Sequence, residues 1–408
     1  MFKFLAISTF CFLFTTKQTQ AQIKEGWYKA AIQRSDGAEI IFNVEAVSKN
    51  NKTVLYIRNA SERILVDGIV QKGDSVFISM PFFESAFKLK INSNYSLTGT
   101  WVKGTSNNNL ELPVVFQYGM QERFTVSTIA ASNITGKWEV TFTRPNGTFR
   151  PAIAEFSQNE NSLTGTFLTP SGDYRFLEGV VTGTKILLSC FDGSHAYFFT
   201  ADIVNNKIEN GVFYSSASPI EKWKAERNAQ VVFPDSIDQT RLKPGARTLN
   251  FSFKDVTGKT VSITDKKYKN KVVVIQIMGS WCPNCMDESR FLSSFYKEYK
   301  SKGVEVIALA YEYSTDVNRS KASIQKFITR LQIKYPVLIT PVTVNDPERT
   351  KKTLPQLTPI RAFPTTIFIS KAGDVYKVHQ GFYGPGTGAY YQAFQTEFYT
   401  AIKKLLSQ

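Results

Sequence analysis

The run KVVVIQIM, Lys271 to Met278, followed at once by GSWCPNC and a helical pattern, restricts this chain more than any other stretch. Its apolar, β-branched residues hardly alternate with polar ones, which is the mark of a strand covered on both faces. Such a strand belongs to a sheet sandwiched between layers. Beyond it the spacing predicts a helix from Cys285 to Lys302, with Phe291, Leu292, Phe295 and Tyr299 on one face and Gly303 as its stop. Pro283 suits the first helical position, where its missing N–H costs nothing, and this makes Cys282 the N-cap, its sulfur over the free N–H groups and the positive end of the helix dipole. A thiolate there is stabilised. Because the thiolate is the nucleophile of thiol–disulfide exchange, Cys282 reads as the attacking sulfur and Cys285, one turn inside, as the shielded resolving one.

Two plainer readings compete. A closed zinc site needs four ligands, but the chain has no second CxxC and two histidines, His195 and His379. No metal is expected. A purely structural disulfide would close a loop with only two residues between the cysteines, removing little chain entropy.

The N-terminus, MFKFLAISTFCFLF, has an early lysine and an apolar run too short to span a bilayer, which needs roughly 20 residues. Residues 1–21 read as a signal peptide cleaved after Ala21. Cys11 follows Phe10, too bulky for a lipoprotein box, so acyl anchoring is not expected. Removing Lys3 and Lys17 lowers the formal charge of +15 to +13, still basic. The lysine clusters are small and far apart, so nucleic acid is not an expected partner, and any membrane contact would be peripheral. The expected address is the periplasm or cell envelope.

From Gln22 to about Ala229, short β-branched and aromatic runs alternate with Gly, Asn, Asp and Ser turns, without helical periodicity. This half should be all β. It also repeats: Trp27 matches Trp138, RSDG at 34–37 matches RPNG at 144–147, DGIV at 67–70 matches EGVV at 178–181, and GDSVFISM at 73–80 matches GTKILLSC at 183–190. The near-constant offset points to a duplication, with unit 1 at 22–130 and unit 2 at 131–230, each of six to eight strands. Cys190 falls opposite Met80 on the buried face, a packed thiol. A second site built from Cys190, Asp192 and His195 is the sharper alternative; Asp192 and Gly193 read first as a hairpin turn.

Pro234, Pro244 and Gly245 mark a boundary before a domain at 245–408. There a hairpin, LNFSFKDVTGKTVSI, precedes the buried strand; VEVIALAYE, a helix over 320–332, YPVLIT, an insertion over 341–359, a hairpin around Ala372 and Gly373, and a helix over 390–406 follow. Strands alternating with helices give an α/β sheet covered on both faces. The fold class is thus multidomain, a duplicated all-β half followed by an α/β domain. GFYGPGTG at 381–388 fits no phosphate-loop pattern and reads as a flexible loop.

On GSWCPNCMDE, the hairpin lead-in and FPTTIFIS, residues about 245–408 resemble the thioredoxin superfamily, in its exported TlpA/ResA-type branch. The resemblance implies an exposed nucleophile at Cys282, a resolving Cys285, a redox-active disulfide between them, a cis-proline at Pro364, and substrate docking on Trp281, Pro283, Phe363 and Pro364. Thioredoxins carry an acid six residues before the first cysteine; here Gln276 stands there and cannot take up a proton. Glu312, near the end of the next strand, and Glu288, the acid of a CxxxE pattern, are candidate proton relays. A carboxylate facing solvent at a strand end is the other reading of Glu312.

These features lead to the expectation of an extracytoplasmic thiol–disulfide oxidoreductase acting as a reductant, with disulfide-bearing client proteins, an upstream membrane dithiol donor, and no cofactor. A partner-binding or scaffold protein whose thioredoxin-like domain senses redox state is one alternative; a disulfide oxidase or isomerase is another. Ile275 and Gly279, which stand where PxxxTxxC needs Pro and Thr, speak against a thiol peroxidase.

Overall fold

Alternation in the first half resolves into two antiparallel sheets of nine strands each. The computed structural model describes residues 22–106, 108–234 and 238–408. The signal-peptide reading of 1–21, Cys11 included, lies outside the described residues. The first sheet holds β1 (Gly26–Gln33), β2 (Glu39–Lys49), β3 (Lys52–Asn59), β4 (Glu62–Val66), β5 (Gly68–Lys72), β6 (Ser75–Ser79), β7 (Ser85–Ile91), β8 (Leu97–Lys103) and β9 (Leu110–Tyr118). Their spatial order is β4-β3-β2-β1-β9-β8-β7-β6-β5. The second holds β10 (Gly136–Thr143), β11 (Phe149–Asn159), β12 (Ser162–Thr169), β13 (Gly172–Asp173), β14 (Leu177–Thr182), β15 (Lys185–Phe191), β16 (Ala196–Val204), β17 (Lys207–Ser215) and β18 (Glu221–Arg227). Here β11 also pairs with β12, so the sheet closes on itself as a barrel, whereas the first keeps β4 and β5 as edges.

Each unit has more strands than the six to eight expected from turn spacing. A single residue, Asp67, separates β4 from β5, and so short a break reads in the sequence as one continuous run. Equivalent strands begin 110 residues apart: Gly26 and Gly136, Glu39 and Phe149, Lys52 and Ser162, Ser75 and Lys185. Alternate inward side chains fill each unit, with Phe42, Phe87, Trp101 and Phe116 in the first and Trp138, Phe142, Phe167 and Phe199 in the second. The units lock together where Phe191 of β15 enters the first core and stacks on Phe42 at 4.3 Å. Asn59 continues the lock, donating to the Phe191 carbonyl at 2.8 Å and accepting its N–H at 3.2 Å.

The remainder is a seven-stranded mixed sheet in the order β20-β19-β23-β22-β21-β24-β25. Its elements are β19 (Ser252–Asp255), β20 (Thr260–Ser262), β21 (Val272–Met278), α1 (Pro283–Tyr299), β22 (Val304–Ala310), α2 (Val317–Leu331), β23 (Val337–Ile339), α3 (Arg349–Thr353), β24 (Thr365–Ile369), β25 (Val375–Gln380) and α4 (Ala389–Ser407). Central β21 runs parallel to β22 and antiparallel to β24, and every residue of β21 and β22 is buried. Val272, Val274 and Met278 face α1, α2 and α4, while Val273, Ile275 and Ile277 face the opposite layer, with Leu354, Leu357 and Ile360. α2 begins at Val317, three residues before the expected start. Asp316 caps it by accepting from Asn318 and Arg319 N–H, a cap hidden in a polar stretch without apolar periodicity. The glycine-rich 381–388 segment is seated, with Phe382 buried in the core and a 3-10 turn at Pro385–Thr387.

Candidate functional site around Cys282 and Cys285

The strand-to-helix junction sets the geometry. Cys282 keeps an extended backbone (φ −102°, ψ 115°) as N-cap of α1, Pro283 takes the first helical position, and the Cys282 sulfur accepts the Cys285 N–H at 3.1 Å. A thiolate would meet the same N–H. The two cysteines, their Cα atoms 5.2 Å apart, form a disulfide. Facing them, the Phe363–Pro364 peptide is cis and the Phe363 carbonyl oxygen lies 3.5 Å from Cys282 Sγ. Trp281 is held by its Nε1, which donates to the Tyr311 carbonyl at 2.8 Å, and by stacking on Tyr313 at 5.2 Å. Its ring also meets Phe363 edge-on at 5.5 Å.

Two carboxyls sit beneath this face. Glu288 is fully buried one turn beyond Cys285, accepting from Gln276 Nε2 at 2.8 Å and Thr366 Oγ1 at 2.5 Å. Burial pushes it up to about 7, against the pull of those two hydrogen bonds. Gln276 Nε2 also lies 3.4 Å from the Cys285 carbonyl, so the residue that cannot ionise connects the motif to one that can. Glu312 follows the end of β22 and does not face solvent. Its carboxylate accepts Ser280 N at 2.9 Å and Ser280 Oγ at 2.7 Å, and burial raises it to about 7 as well, opposed by those bonds.

The expectation of an exposed Cys282 is corrected: the residue is 5% exposed. Two turns of the second β unit lie on the motif. Ser194 Oγ donates to the Trp281 carbonyl at 2.9 Å, and Asn284 Nδ2 donates to the Asp173 carbonyl at 3.1 Å. Arg175, 2% exposed, donates to the Pro283 carbonyl at 3.4 Å and pairs with Asp287 of α1, Glu62 of β4 and, at 3.4 Å, Asp192. Burial alone would raise Asp192, but His195 and Arg175 beside it hold it down at about 2. Asp192 also accepts the N–H groups of Ser194 and His195, so it serves its own turn. Cys190 is buried in the second core, where burial pushes its thiol well above the ordinary range.

Arg175, Asp173, Ser194 and Asp287 were absent from the sequence-derived site. Arg175 sits between Tyr174 and Phe176, and a cation in an aromatic run was the one local sign of a buried partner. The sequence had no means of naming that partner, which lies 112 residues away.

Comparisons with known proteins match the same part of the chain. The Redoxin family model matches residues 243–389. The thiol-disulfide oxidoreductase ResA of Halalkalibacterium halodurans is 29% identical over 145 residues, covering 35% of this chain and 72% of that protein. ResA of Bacillus subtilis is 29% identical over 140 residues, 34% of this chain and 69% of that protein. Among solved structures, a thioredoxin family thiol:disulfide interchange protein from Chlorobium tepidum aligns with 42% of this chain and 99% of its own at 22% identity and a TM-score of 0.29. Over residues 243–389 the chain therefore resembles redoxin-family domains of the thioredoxin superfamily, ResA type, and its enzyme class is that of the thiol–disulfide oxidoreductases.

Proposed function

We propose that the protein is an exported thiol–disulfide oxidoreductase that reduces client disulfides through Cys282 and Cys285. The observation that carries this reading is the Cys282 sulfur at the start of α1, bonded to Cys285 and receiving its N–H. In the reduced enzyme the Cys282 thiolate attacks one client sulfur. A Cys282–client bond forms, the client disulfide breaks, and the departing client thiolate takes a proton. Cys285, as thiolate, then attacks Cys282 Sγ, closing the Cys282–Cys285 bond and releasing the second client sulfur. Two electrons pass from enzyme to client, and an upstream membrane dithiol restores them. Trp281, Pro283, Phe363 and Pro364 form the docking face, with the Phe363 main chain aligning an extended client segment. Glu288, near 7 and one turn beyond Cys285, takes up the proton that Cys285 must lose, and Glu312, also near 7, is the second candidate acceptor.

Export is inferred from residues 1–21. No helix among the described residues is long and apolar enough to cross a membrane. The domain scheme is 22–130, 131–230 and 245–408, and we read the first two as copies of one ancestral unit, a reading supported by the common strand offset.

The test is reduction of a small-molecule disulfide by wild type and Cys282→Ser, with the potential measured against glutathione. A reductant predicts activity lost in the variant and a potential near or below roughly −270 mV. A potential near roughly −120 mV would make it an oxidase instead. The scaffold reading draws on the β half lying over the dithiol, and an inactive wild type would favour it.

A further inference from the structure

We infer that the β half, through the turns of its second unit, is an autoinhibitory cover on the dithiol, held closed by Arg175, and that protein clients reach Cys282 only when it lifts. This rests on the exchange reading above. A mixed disulfide with a protein requires room for a client sulfur in line with Cys282 Sγ and for a client strand along Phe363. Cys282 is 5% exposed, and turns of the second unit are hydrogen-bonded to Trp281, Pro283 and Asn284 on either side of it, so the room beside its sulfur is restricted.

The occupants are identifiable. The turn at 172–175 places the Asp173 carbonyl on Asn284, and Gly172 (φ +140°) approaches the same amide so closely that a Cβ would collide with it. The turn at 192–195 places Ser194 on the Trp281 carbonyl. From the opposite side, Gly384 N–H donates to the Asp173 carboxylate at 2.7 Å. Client-docking atoms of the motif are thus already hydrogen-bonded within the chain.

The bonding over the motif suits opening. Apolar contacts between the halves come from Phe82 and Phe83 against the α1 and α2 core, and from Tyr383 and Tyr390 against Ile153 and Leu168. Over residues 281–287 hydrogen bonds and ion pairs join the halves, with Phe82 and Phe83 packing beside Trp281 and Met286. Arg175 pairs with Glu62 and Asp192 inside the β half and, across the seam, with Asp287 and the Pro283 carbonyl, where water can replace it when the halves part. Buried ion pairs specify a position while adding little net stability, since desolvation offsets their attraction. A second ionic patch binds α2 to the first unit: Arg319 and Ser323 to Glu84, and Arg330 to Asp67. Between these patches runs a cleft of about 440 Å³, lined by Glu62, Phe82, Phe176, Met286, Arg290 and Arg330 among others, along which the halves can separate. Polar interfaces of this kind between domains are the ones that move.

The test compares reduction of a small aromatic disulfide with reduction of insulin by the full-length protein. Wild type, Arg175→Met, Ser194→Ala and Arg319→Ala are assayed, each checked for fold by circular dichroism. Arg175→Met leaves three carboxylates facing one another, whereas Ser194→Ala removes a single hydroxyl contact and keeps the fold if the former does not. The cover predicts that insulin reduction rises about tenfold or more in Arg175→Met and severalfold in the milder variants, with the small-disulfide rate changing far less. Hydrogen exchange at 172–175 and 281–287 should quicken in step. Equal insulin rates in wild type and all folded variants overturn the cover. Failure of every form to reduce the small disulfide would instead remove the exchange reading beneath it.

Discussion

Replacing Glu288 with glutamine should change how stability depends on pH. The carboxyl is fully buried and sits near 7 instead of its ordinary 4.5, a difference worth about 3 kcal/mol between the protonated and ionised forms. The folded protein holds that proton more tightly than the unfolded chain does. Its contribution is therefore complete below about pH 4.5 and is lost as pH rises through about 7. In Glu288→Gln the amide has nothing to ionise, and it retains a carbonyl for Gln276 and an N–H for Thr366, whose hydroxyl can turn to accept. Unfolding in urea of the disulfide forms of both proteins, from pH 4.5 to 8.5, gives the difference in stability at each pH. Other titrating groups, His379 among them, cancel in that difference. The variant should gain on wild type by about 3 kcal/mol across the range, most of it between pH 5 and 8. A difference independent of pH would refute both the raised carboxyl and its use as a proton acceptor near neutrality.

Glu312→Gln should show the same sign and window, because Glu312 is also raised to about 7 by burial, and urea unfolding over the same pH series reads it. Phe191→Ala empties a position enclosed by Phe42, Phe87 and Trp101 and should cost about 3–5 kcal/mol. Calorimetry should then show the two β units melting less cooperatively, and an unchanged single transition would contradict the lock. Gly172→Ala combines a left-handed backbone with a collision at Asn284, so alkylation of reduced Cys282 by a bulky maleimide should quicken; unchanged labelling would place the Gly172 turn away from the motif.

What the sequence made legible followed from local pattern. The apolar run at β21, the proline at the first helical position and the turn at Asp192 and Gly193 are each encoded within a few residues, and each stands where its period placed it. Boundaries carried by polar caps, such as Asp316 before α2, were missed because no apolar period announces them. The burial of Cys282 was illegible for a different reason. It depends on Ser194, Asp173 and Arg175, whose turn chemistry is already accounted for locally and whose second partners lie 87 to 112 residues away. Gln276 illustrates both sides: its position excluded the usual buried acid, but only the fold brings Glu288 against it.

The exchange chemistry of Cys282 is tested most directly by trapping. Reduced Cys285→Ser, offered a small-molecule disulfide and analysed by intact mass and peptide mapping, should accumulate one adduct, on Cys282, because no second sulfur remains to release it. No adduct, or an adduct on Cys190 alone, would contradict the account.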